Sequence, residues 1–584
     1  MIRIIPEPML LEKREGALSL CAVRILADKA DQRITDALRR LSIPESEDGK
    51  TISVSHGTDG EGYALSVNEN GIEINADGPA GAFYAVQSLR QLICENGRSI
   101  PCCYIEDRPD LSYRGFYLDI SRGRVPTLKK LKSIADTLSF YKINSLQLYV
   151  EAAFTFRELR GVATPENALT PEEITELEAY CKERFIDLIP SMSSFGHLFA
   201  LLQSTEHRRI CELEDYEMTR NYWLERQWHH TLDPYDPRSI EVIGSMIDQF
   251  APLFSSKYFN ICCDETMDLC MGKNLGKDKG EAYFHHVEKL ICKLREHGKT
   301  PMLWGDECMA RPDMAKEKLP DDAIILNWCY RHKVAEWIPR MFCERGFSQI
   351  CCTGTSCWEN FIENVNISCG NISSFASHAK SFGTVGLLNT SWGDFGHVCP
   401  FNSNLYGLLM GAEKSWRVDS RTDAEFETAS SLLLYGVTEF NMADTLRALG
   451  TASSTCSWSD FVVWHSATHL EEKDATLKFG YGPRGENTAE DAASHAELCR
   501  RETKRLLELG RNDDVICDLI LSARAIELMN RLALYVNRID GYCDAEALQK
   551  DFDDFISDYS RAWLRDDKPS ELPVLEEFIR NITK

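Results

Sequence analysis

Two adjacent carboxylates, Asp264 and Glu265, end the apolar run F-N-I-C-C-D-E-T at residues 259–266. Charged side chains are seldom buried without a partner or a task, so an acidic pair at the end of a buried strand indicates a site. One carboxylic acid can protonate a leaving oxygen, while an ionised neighbour stabilises positive charge that develops beside it. Acids at the start of a helix are also common, and this pair alone does not separate the two interpretations.

Eight short apolar runs recur between residues 113 and 416, separated by amphipathic segments of helix length. Strands that alternate with helices form parallel βα units, and eight such units in about 300 residues are typical of a TIM barrel. The first run is not followed by a glycine-rich phosphate loop, which disfavours a doubly wound open sheet. The sequence therefore predicts an α/β fold with a (β/α)8 barrel as its catalytic domain.

Two further regions flank the predicted barrel. Residues 1–108 mix short apolar strands with two helical stretches, which indicates an N-terminal α+β domain. After residue 416 the strand rhythm stops, and long charged amphipathic stretches predict an all-helical domain over residues 417–584. The barrel domain accordingly covers residues 109–416.

The carboxyl ends of the eight runs supply the candidate site residues, because TIM-barrel sites lie there. Carboxylates, a histidine and several aromatic side chains occur at these ends: Asp119, Arg122, Glu151, His197, Trp304, Asp306, Glu307, Trp328, Tyr330, Trp358, Trp392 and Asp394. Indole faces cover the C–H faces of a sugar and acids bind its hydroxyls, so the mixture predicts a carbohydrate pocket. For the pair Asp306 and Glu307 we favour a helix start instead.

Composition narrows the classes of ligand and location. The 584 residues include 65 Lys plus Arg against 90 Asp plus Glu, a formal net charge of −25 that disfavours nucleic acid and anionic lipid. The first residues lack a signal-peptide pattern, and no apolar run is long enough to span a bilayer, so we expect a cytoplasmic protein without a membrane partner. The 22 cysteines then predict thiols, and we expect no metal and no other cofactor.

Four motifs resemble, in their order and spacing, glycoside hydrolase family 20, the β-N-acetylhexosaminidases. They are R-G-F-Y-L-D-I-S-R at residues 114–122, the acidic pair, P-M-L-W-G-D-E at residues 301–307 and N-T-S-W-G-D at residues 389–394. The resemblance covers the N-terminal domain and the barrel, and the helical tail is similar to that of smaller bacterial members. It implies exo-acting hydrolysis that releases terminal β-linked N-acetylglucosamine or N-acetylgalactosamine from small glycans.

The resemblance also implies a mechanism and a set of roles. The 2-acetamido oxygen of the sugar attacks the anomeric carbon and forms an oxazolinium intermediate, so no protein nucleophile is needed. Glu265 acts as general acid and then base, with a pKa raised by its setting, while Asp264 stays ionised and orients the acetamido group. The implied substrate-binding residues are Arg114 and Asp394 at the far hydroxyls, Trp304, Trp328 and Trp392 as walls, Tyr330 toward the acetamido oxygen, and His197, Trp358 and Glu151.

Several residues depart from the family pattern. Asn260 stands where a histidine is common, Cys262 and Cys263 replace two glycines, Asp394 replaces a glutamate, and Glu151 ends the second strand in place of an acidic and histidine pattern. These departures bear on substrate range more than on reaction type. Two alternatives stay open: a hydrolase for a modified aminosugar, such as a sulfated one, and a sugar-binding protein without catalysis. A homodimer is a further hypothesis, since helical appendages often cover a neighbouring subunit's site.

Overall fold

The protein consists of an N-terminal sheet domain, a closed barrel and a C-terminal set of helices. The computed structural model describes residues 2–27, 31–214, 222–227, 230–469 and 487–582. The predicted fold class is confirmed, because the barrel is closed by eight parallel strands.

The N-terminal domain is a mixed sheet of six strands in the order β1-β6-β4-β5-β3-β2. The strands are β1 Leu10–Ser19, β2 Val23–Leu26, β3 Lys50–His56, β4 Tyr63–Asn68, β5 Gly71–Ala76 and β6 Ser99–Asp107; the helices are α1 Gln32–Arg39 and α2 Pro79–Asn96. Helix α2 is buried along most of its length because it packs on the sheet and also contacts the helices beyond it. The sheet domain therefore docks on the barrel through α2.

The barrel strands run in chain order around a closed cylinder, with the last strand paired to the first. They are β7 Tyr113–Asp119, β8 Ser145–Val150, β9 Asp187–Met192, β10 Tyr258–Asn260, β11 Thr300–Trp304, β12 Ile324–Trp328, β13 Ser348–Gly354 and β14 Gly386–Ser391. Each coincides with one of the eight apolar runs of the sequence. Their inward side chains form a separate core that ends in aromatic rings near the carboxyl rim.

Helices and short helical turns surround the barrel. They are α3 Leu128–Phe140, α4 Pro171–Lys182, α5 Phe199–Leu202, α6 Tyr222–Arg226, α7 Pro237–Phe250, α8 Lys279–Glu296, α9 Asp306–Ala310, α10 Pro312–Lys318, α11 Trp337–Glu344, α12 Val365–Ser381 and α13 Leu405–Trp416. Helix α4 begins with a capping box, in which Thr170 and Glu173 each accept a hydrogen bond from the other's backbone N–H. Such caps fix where each helix begins, and hence where the preceding loop ends.

The secondary-structure elements of the C-terminal region are helices in its described residues, as predicted. Its helices are α14 Asp423–Leu433, α15 Met442–Ser453, α16 Trp458–His469, α17 Ala489–Leu507, α18 Asp514–Val536, α19 Ala545–Asp566 and α20 Leu572–Arg580. They pack on the barrel of the same chain: Arg124, just after β7, donates to the Tyr559 hydroxyl at 2.7 Å and pairs with Asp567. No helix in the described part of the chain is both long enough and apolar enough to cross a membrane.

Candidate active site

A pocket of about 170 Å³ opens at the carboxyl ends of the barrel strands. Its walls are formed by Arg122, Gln227, Asp264, Glu265, Trp304, Trp328, Tyr330, Trp358, Trp392 and Asp394. All of these except Gln227 are candidate site residues of the sequence, although the sequence assigned no substrate contact to Arg122. The structure brings them together, and their individual roles stay predictions.

The backbone leaves the extended conformation just before the acidic pair. Strand β10 ends at Asn260, and Cys262, Cys263 and Glu265 have φ angles of 57°, 63° and 48°. This left-handed region favours glycine, and each non-glycine residue there stores strain of about 1–3 kcal/mol. Because the chain is no longer a regular strand, Asp264 and Glu265 both line the pocket instead of pointing to opposite faces.

Asn260 and Cys262 lie inside the barrel, whereas Cys263 packs in the core between the strands and the surrounding helices. The Asn260 amide donates to Gln147 at 3.1 Å and its oxygen accepts from the Cys262 N–H at 2.9 Å. The Cys263 thiol donates to the Ile261 carbonyl at 3.3 Å, and burial raises the pKa of both thiols. These departures from the family pattern therefore shape the backbone turn and do not line the pocket.

Asp306 holds the backbone of the general-acid candidate. It is the first residue of α9, as the helix-start interpretation predicts, and its Oδ2 accepts from the Glu265 N–H at 3.0 Å. Its Oδ1 is buried and has no hydrogen-bond partner among the described residues. Burial, reinforced by the charge of Asp264, raises the pKa of Asp306 to about 7. The residue thus has a positioning role in addition to starting a helix.

His197 lies between the two members of the acidic pair. Its Nε2 is 3.4 Å from Glu265 Oε2 and 3.7 Å from Asp264 Oδ2, and its side chain is 4% exposed. Burial and Arg122, whose Nη2 is 3.4 Å from His197 Nδ1, oppose protonation. The two carboxylates outweigh them, so that the pKa of His197 is raised to about 9. The setting of the ring therefore favours its protonation relative to a free imidazole.

The pKa values of Glu265 and Asp264 are shifted in opposite directions. The adjacent imidazole of His197 lowers the pKa of Glu265, and burial raises the pKa of Asp264 against the charges of His197 and Arg122. The expectation that Glu265 has a raised pKa is thus wrong, because it did not include the histidine contact.

Arg122 is the centre of a buried ion-pair network. Its guanidinium lies 3.0 Å from Asp394 Oδ1, 3.3 Å from Glu151 Oε1 and 3.5 Å from Asp119 Oδ2. Tyr149 also donates to Glu151 at 3.0 Å. Glu151 therefore stands behind Arg122 and does not line the pocket itself. Three carboxylates fix the guanidinium, which with Asp394 forms a polar wall.

Arg114 does not reach this pocket, and its predicted role in binding substrate is wrong. It is the second residue of β7, so it lies at the amino end of the barrel, whereas Asp119 ends that strand at the carboxyl rim. The Arg114 side chain is fully buried, pairs with Glu61 of the N-terminal domain at 2.7 Å, and donates to the Lys142 carbonyl at 3.0 Å. Arg122, three residues beyond the strand, occupies the pocket wall.

Aromatic rings form the remaining wall. The Trp392 indole donates to the Tyr330 hydroxyl at 2.8 Å, and the Trp304 and Trp392 ring centroids are 5.5 Å apart. Trp328 stacks on Tyr330 with ring centroids 5.3 Å apart, and Trp358 is tilted against Tyr330 at 5.1 Å. Flat indole and phenol faces held in this way can cover the apolar faces of a sugar and of its acetamido methyl group.

The fold and the pocket define a (β/α)8-barrel protein with a carbohydrate-type site at the carboxyl rim. A model of the glycosyl hydrolase family 20 catalytic domain matches residues 111–381, and a model of domain 2 of that family matches residues 1–108. The chain belongs to glycosyl hydrolase family 20.

Curated relatives are similar over part of their length. The β-hexosaminidase of Porphyromonas gingivalis is 26% identical over 383 residues, which cover 56% of this chain and 47% of that protein. β-Hexosaminidase subunit A1 of Dictyostelium discoideum is 27% identical over 288 residues, covering 46% of this chain and 52% of that protein. The chain thus spans about half the length of these relatives.

Solved structures share the fold. The chitobiase of Flavobacterium johnsoniae is similar with a TM-score of 0.61 at 20% identity, covering 94% of this chain and 95% of that one. The β-N-acetylhexosaminidase of Bacteroides fragilis has a TM-score of 0.61 at 19% identity, covering 75% of this chain and 96% of that one. At these identities the comparison confirms the architecture.

Proposed function

We propose that this protein is a β-N-acetylhexosaminidase that releases terminal β-linked N-acetylglucosamine or N-acetylgalactosamine from small glycans. The observation that supports this most is the pairing of Asp264 and Glu265 in one pocket with Trp304, Trp392 and Tyr330. The paired carboxylates suit the cleavage of a glycosidic bond, and the aromatic wall suits an acetamido sugar. Membership of family 20 and the β-hexosaminidase relatives support the same activity.

The geometry suits a substrate-assisted reaction with retention. Glu265 donates a proton to the glycosidic oxygen while the bond from that oxygen to the anomeric carbon breaks and the acetamido oxygen bonds to the same carbon. Asp264 accepts a hydrogen bond from the acetamido N–H and stabilises the cationic ring that forms. Glu265 then takes a proton from water, whose oxygen bonds to the anomeric carbon and opens the intermediate.

His197 supplies the proton for the first step. Glu265 has a lowered pKa and His197 a raised one, and their nearest atoms are 3.4 Å apart. A neutral sugar that enters the pocket removes water from the carboxylate and disfavours its charge. Transfer of the proton from the imidazolium to Glu265 then gives the acid that the reaction needs.

The polar wall supports the proposal of exo action. Arg122 and Asp394 form a fixed ion pair on the pocket wall, and such a pair binds vicinal hydroxyls of a terminal sugar. Of the described residues that line the pocket, Arg122 is the basic one, and its charge is already matched by Asp394, Glu151 and Asp119. This disfavours a sulfated substrate, because a sulfate group requires an available cation.

Turnover of 4-nitrophenyl β-N-acetylglucosaminide and of its galacto epimer tests the proposal. We expect the unmodified protein to hydrolyse at least one, and Glu265→Gln to lose about 10²–10⁴-fold in kcat. We expect Asp264→Asn to lose about 10²–10³-fold, as for removal of an electrostatic stabiliser. Absence of turnover on any acetamido sugar would favour a sugar-binding protein, and full activity of Asp264→Asn would refute substrate assistance.

A further inference from the structure

The side-chain amide of Gln227 lies in the pocket wall. The residue belongs neither to the acidic pair nor to the four sequence motifs that resemble the family. The residue directly follows α6 and lines the pocket. Its Nε2 is buried, and no hydrogen-bond acceptor contacts it among the described residues. A buried amide donor without an acceptor is unfavourable, so such a group in a pocket is suited to a ligand oxygen.

The position of α6 places Gln227 on the polar part of the wall. Arg226 donates to the Ser121 carbonyl at 3.5 Å, directly before Arg122. On its other side α6 contacts the loop that contains Asp394: a Cβ added to Gly396 would come within 3.0 Å of the Trp223 ring. The segment that ends in Gln227 therefore packs against both segments that supply the Arg122–Asp394 ion pair.

A residue of the C-terminal region anchors this segment. Glu571, directly before α20, accepts from the Trp223 indole N–H at 3.0 Å and from the Tyr222 hydroxyl at 3.3 Å, and it pairs with Arg226. Three of the five residues of α6 thus bind one carboxylate. The Trp223 ring also packs edge-on against Phe578 of α20 at 5.3 Å.

We propose that Gln227 donates a hydrogen bond to a hydroxyl of the sugar in the pocket, and that Glu571 is the positioning residue that holds it there. The proposal rests on the proposed hexosaminidase activity and deepens it, because it assigns a specificity-determining contact to this chain. Arg122 and Asp394 bind two hydroxyls of the sugar, and the Gln227 amide donates a hydrogen bond to a third. The C-terminal helical region thereby shapes the substrate site through α6.

The direct test compares wild type with Gln227→Ala on 4-nitrophenyl β-N-acetylglucosaminide and on its 3-deoxy, 4-deoxy and 6-deoxy analogues. Loss of one hydrogen bond to a neutral hydroxyl is expected to lower kcat/KM about 3- to 10-fold on the parent substrate, mainly through KM. On the one analogue that lacks the contacted hydroxyl, wild type and Gln227→Ala should be equal. An equal loss on all three analogues, or no loss on the parent, would overturn the proposal.

The positioning role has its own test. Glu571→Gln should raise KM, as Gln227→Ala does, and leave kcat within about twofold. In the double variant, Glu571→Gln should raise KM no further than Gln227→Ala alone. Glu577→Gln is the matched control, because Glu577 is an exposed glutamate on α20, the helix that Glu571 directly precedes. A Glu571→Gln protein with a lowered melting temperature and an unchanged KM would refute the positioning role.

The two proposals fail in different ways. Calorimetric binding of N-acetylglucosamine to each variant gives a readout that does not need turnover, and Gln227→Ala should weaken it by the same 3- to 10-fold. If wild type neither hydrolyses nor binds any acetamido sugar, the proposed activity fails and this inference fails with it. If wild type is active and Gln227→Ala behaves identically in both assays, this inference alone is wrong.

Discussion

Replacing His197 by glutamine should change both the stability of the protein and the pH dependence of its activity. Glutamine keeps a hydrogen-bond donor near Glu265 and Asp264 but cannot become a cation. In the native structure His197 is 4% exposed and its pKa is raised to about 9 from an ordinary value of 6.5. The imidazolium is therefore favoured by the fold over the unfolded chain.

The expected magnitude follows from linkage. A rise of roughly 2.5 pKa units corresponds to about 3 kcal/mol of stability. For a raised pKa this contribution is fully present below pH 6.5, decreases between pH 6.5 and 9, and is absent above pH 9. Urea unfolding of wild type at pH 6 and at pH 9.5 should thus differ by about 3 kcal/mol more than for His197→Gln.

Activity gives the second readout of the same proton. In wild type, kcat/KM should fall as the pH rises through about 9, where the His197–Glu265 pair loses its shared proton. In His197→Gln the proton must reside on a carboxyl group of the site, so the basic limb of the profile should move to lower pH. Coincident basic limbs in the two proteins would refute the reasoning, and so would equal differences in unfolding free energy.

Three further substitutions test other parts of the structure. Arg114→Met should lower the free energy of unfolding by about 2–3 kcal/mol, because it removes the buried cation that pairs with the half-buried carboxylate of Glu61, while KM stays unchanged; a raised KM would restore its sequence-based role. Cys262→Val should lower the free energy of unfolding by about 1–3 kcal/mol, because a β-branched residue disfavours the positive φ of this position. Cys352→Val, in the extended strand β13, is the control. Equal losses in the two variants would exclude backbone strain at Cys262. Asp306→Ala should reduce kcat about tenfold by releasing the Glu265 N–H, and Asp306→Asn should retain most activity; equal kcat values for the two variants would contradict this positioning role.

The sequence was sufficient to predict the barrel because each strand is a continuous apolar run. Strands such as β12 and β14 are buried on both faces, so each stands out as a short run between amphipathic segments, and the helices between them fix the topology. The aromatic and acidic candidates were found for a related reason. The carboxyl-end rule for barrel sites selects Asp264, Glu265 and Trp392 from the ends of predicted strands.

The same rule, applied strictly, would have excluded Arg114. A strand of seven residues is about 20 Å long, so a side chain near its start cannot reach the opposite rim. The sequence motif contains two arginines, and only strand direction tells which one reaches the pocket. Gln227 and Glu571 had no such signal, because they meet through packing of segments far apart in the chain. The histidine that lowers the pKa of Glu265 was known as a candidate, but its distance from the carboxylate was not.

The contact of α6 with Glu571, just before α20, has a consequence for the order of folding. The Trp223–Glu571 contact joins residues 348 positions apart, and closing so long a loop is entropically unfavourable and slow. The barrel is built from neighbouring βα units and can form earlier. The part of the pocket wall that contains Gln227 should therefore be among the last parts of the molecule to reach its native structure. In pulse-labelled refolding, the amides of α6 are expected to gain protection after those of β7 and β8, and simultaneous protection would exclude this order.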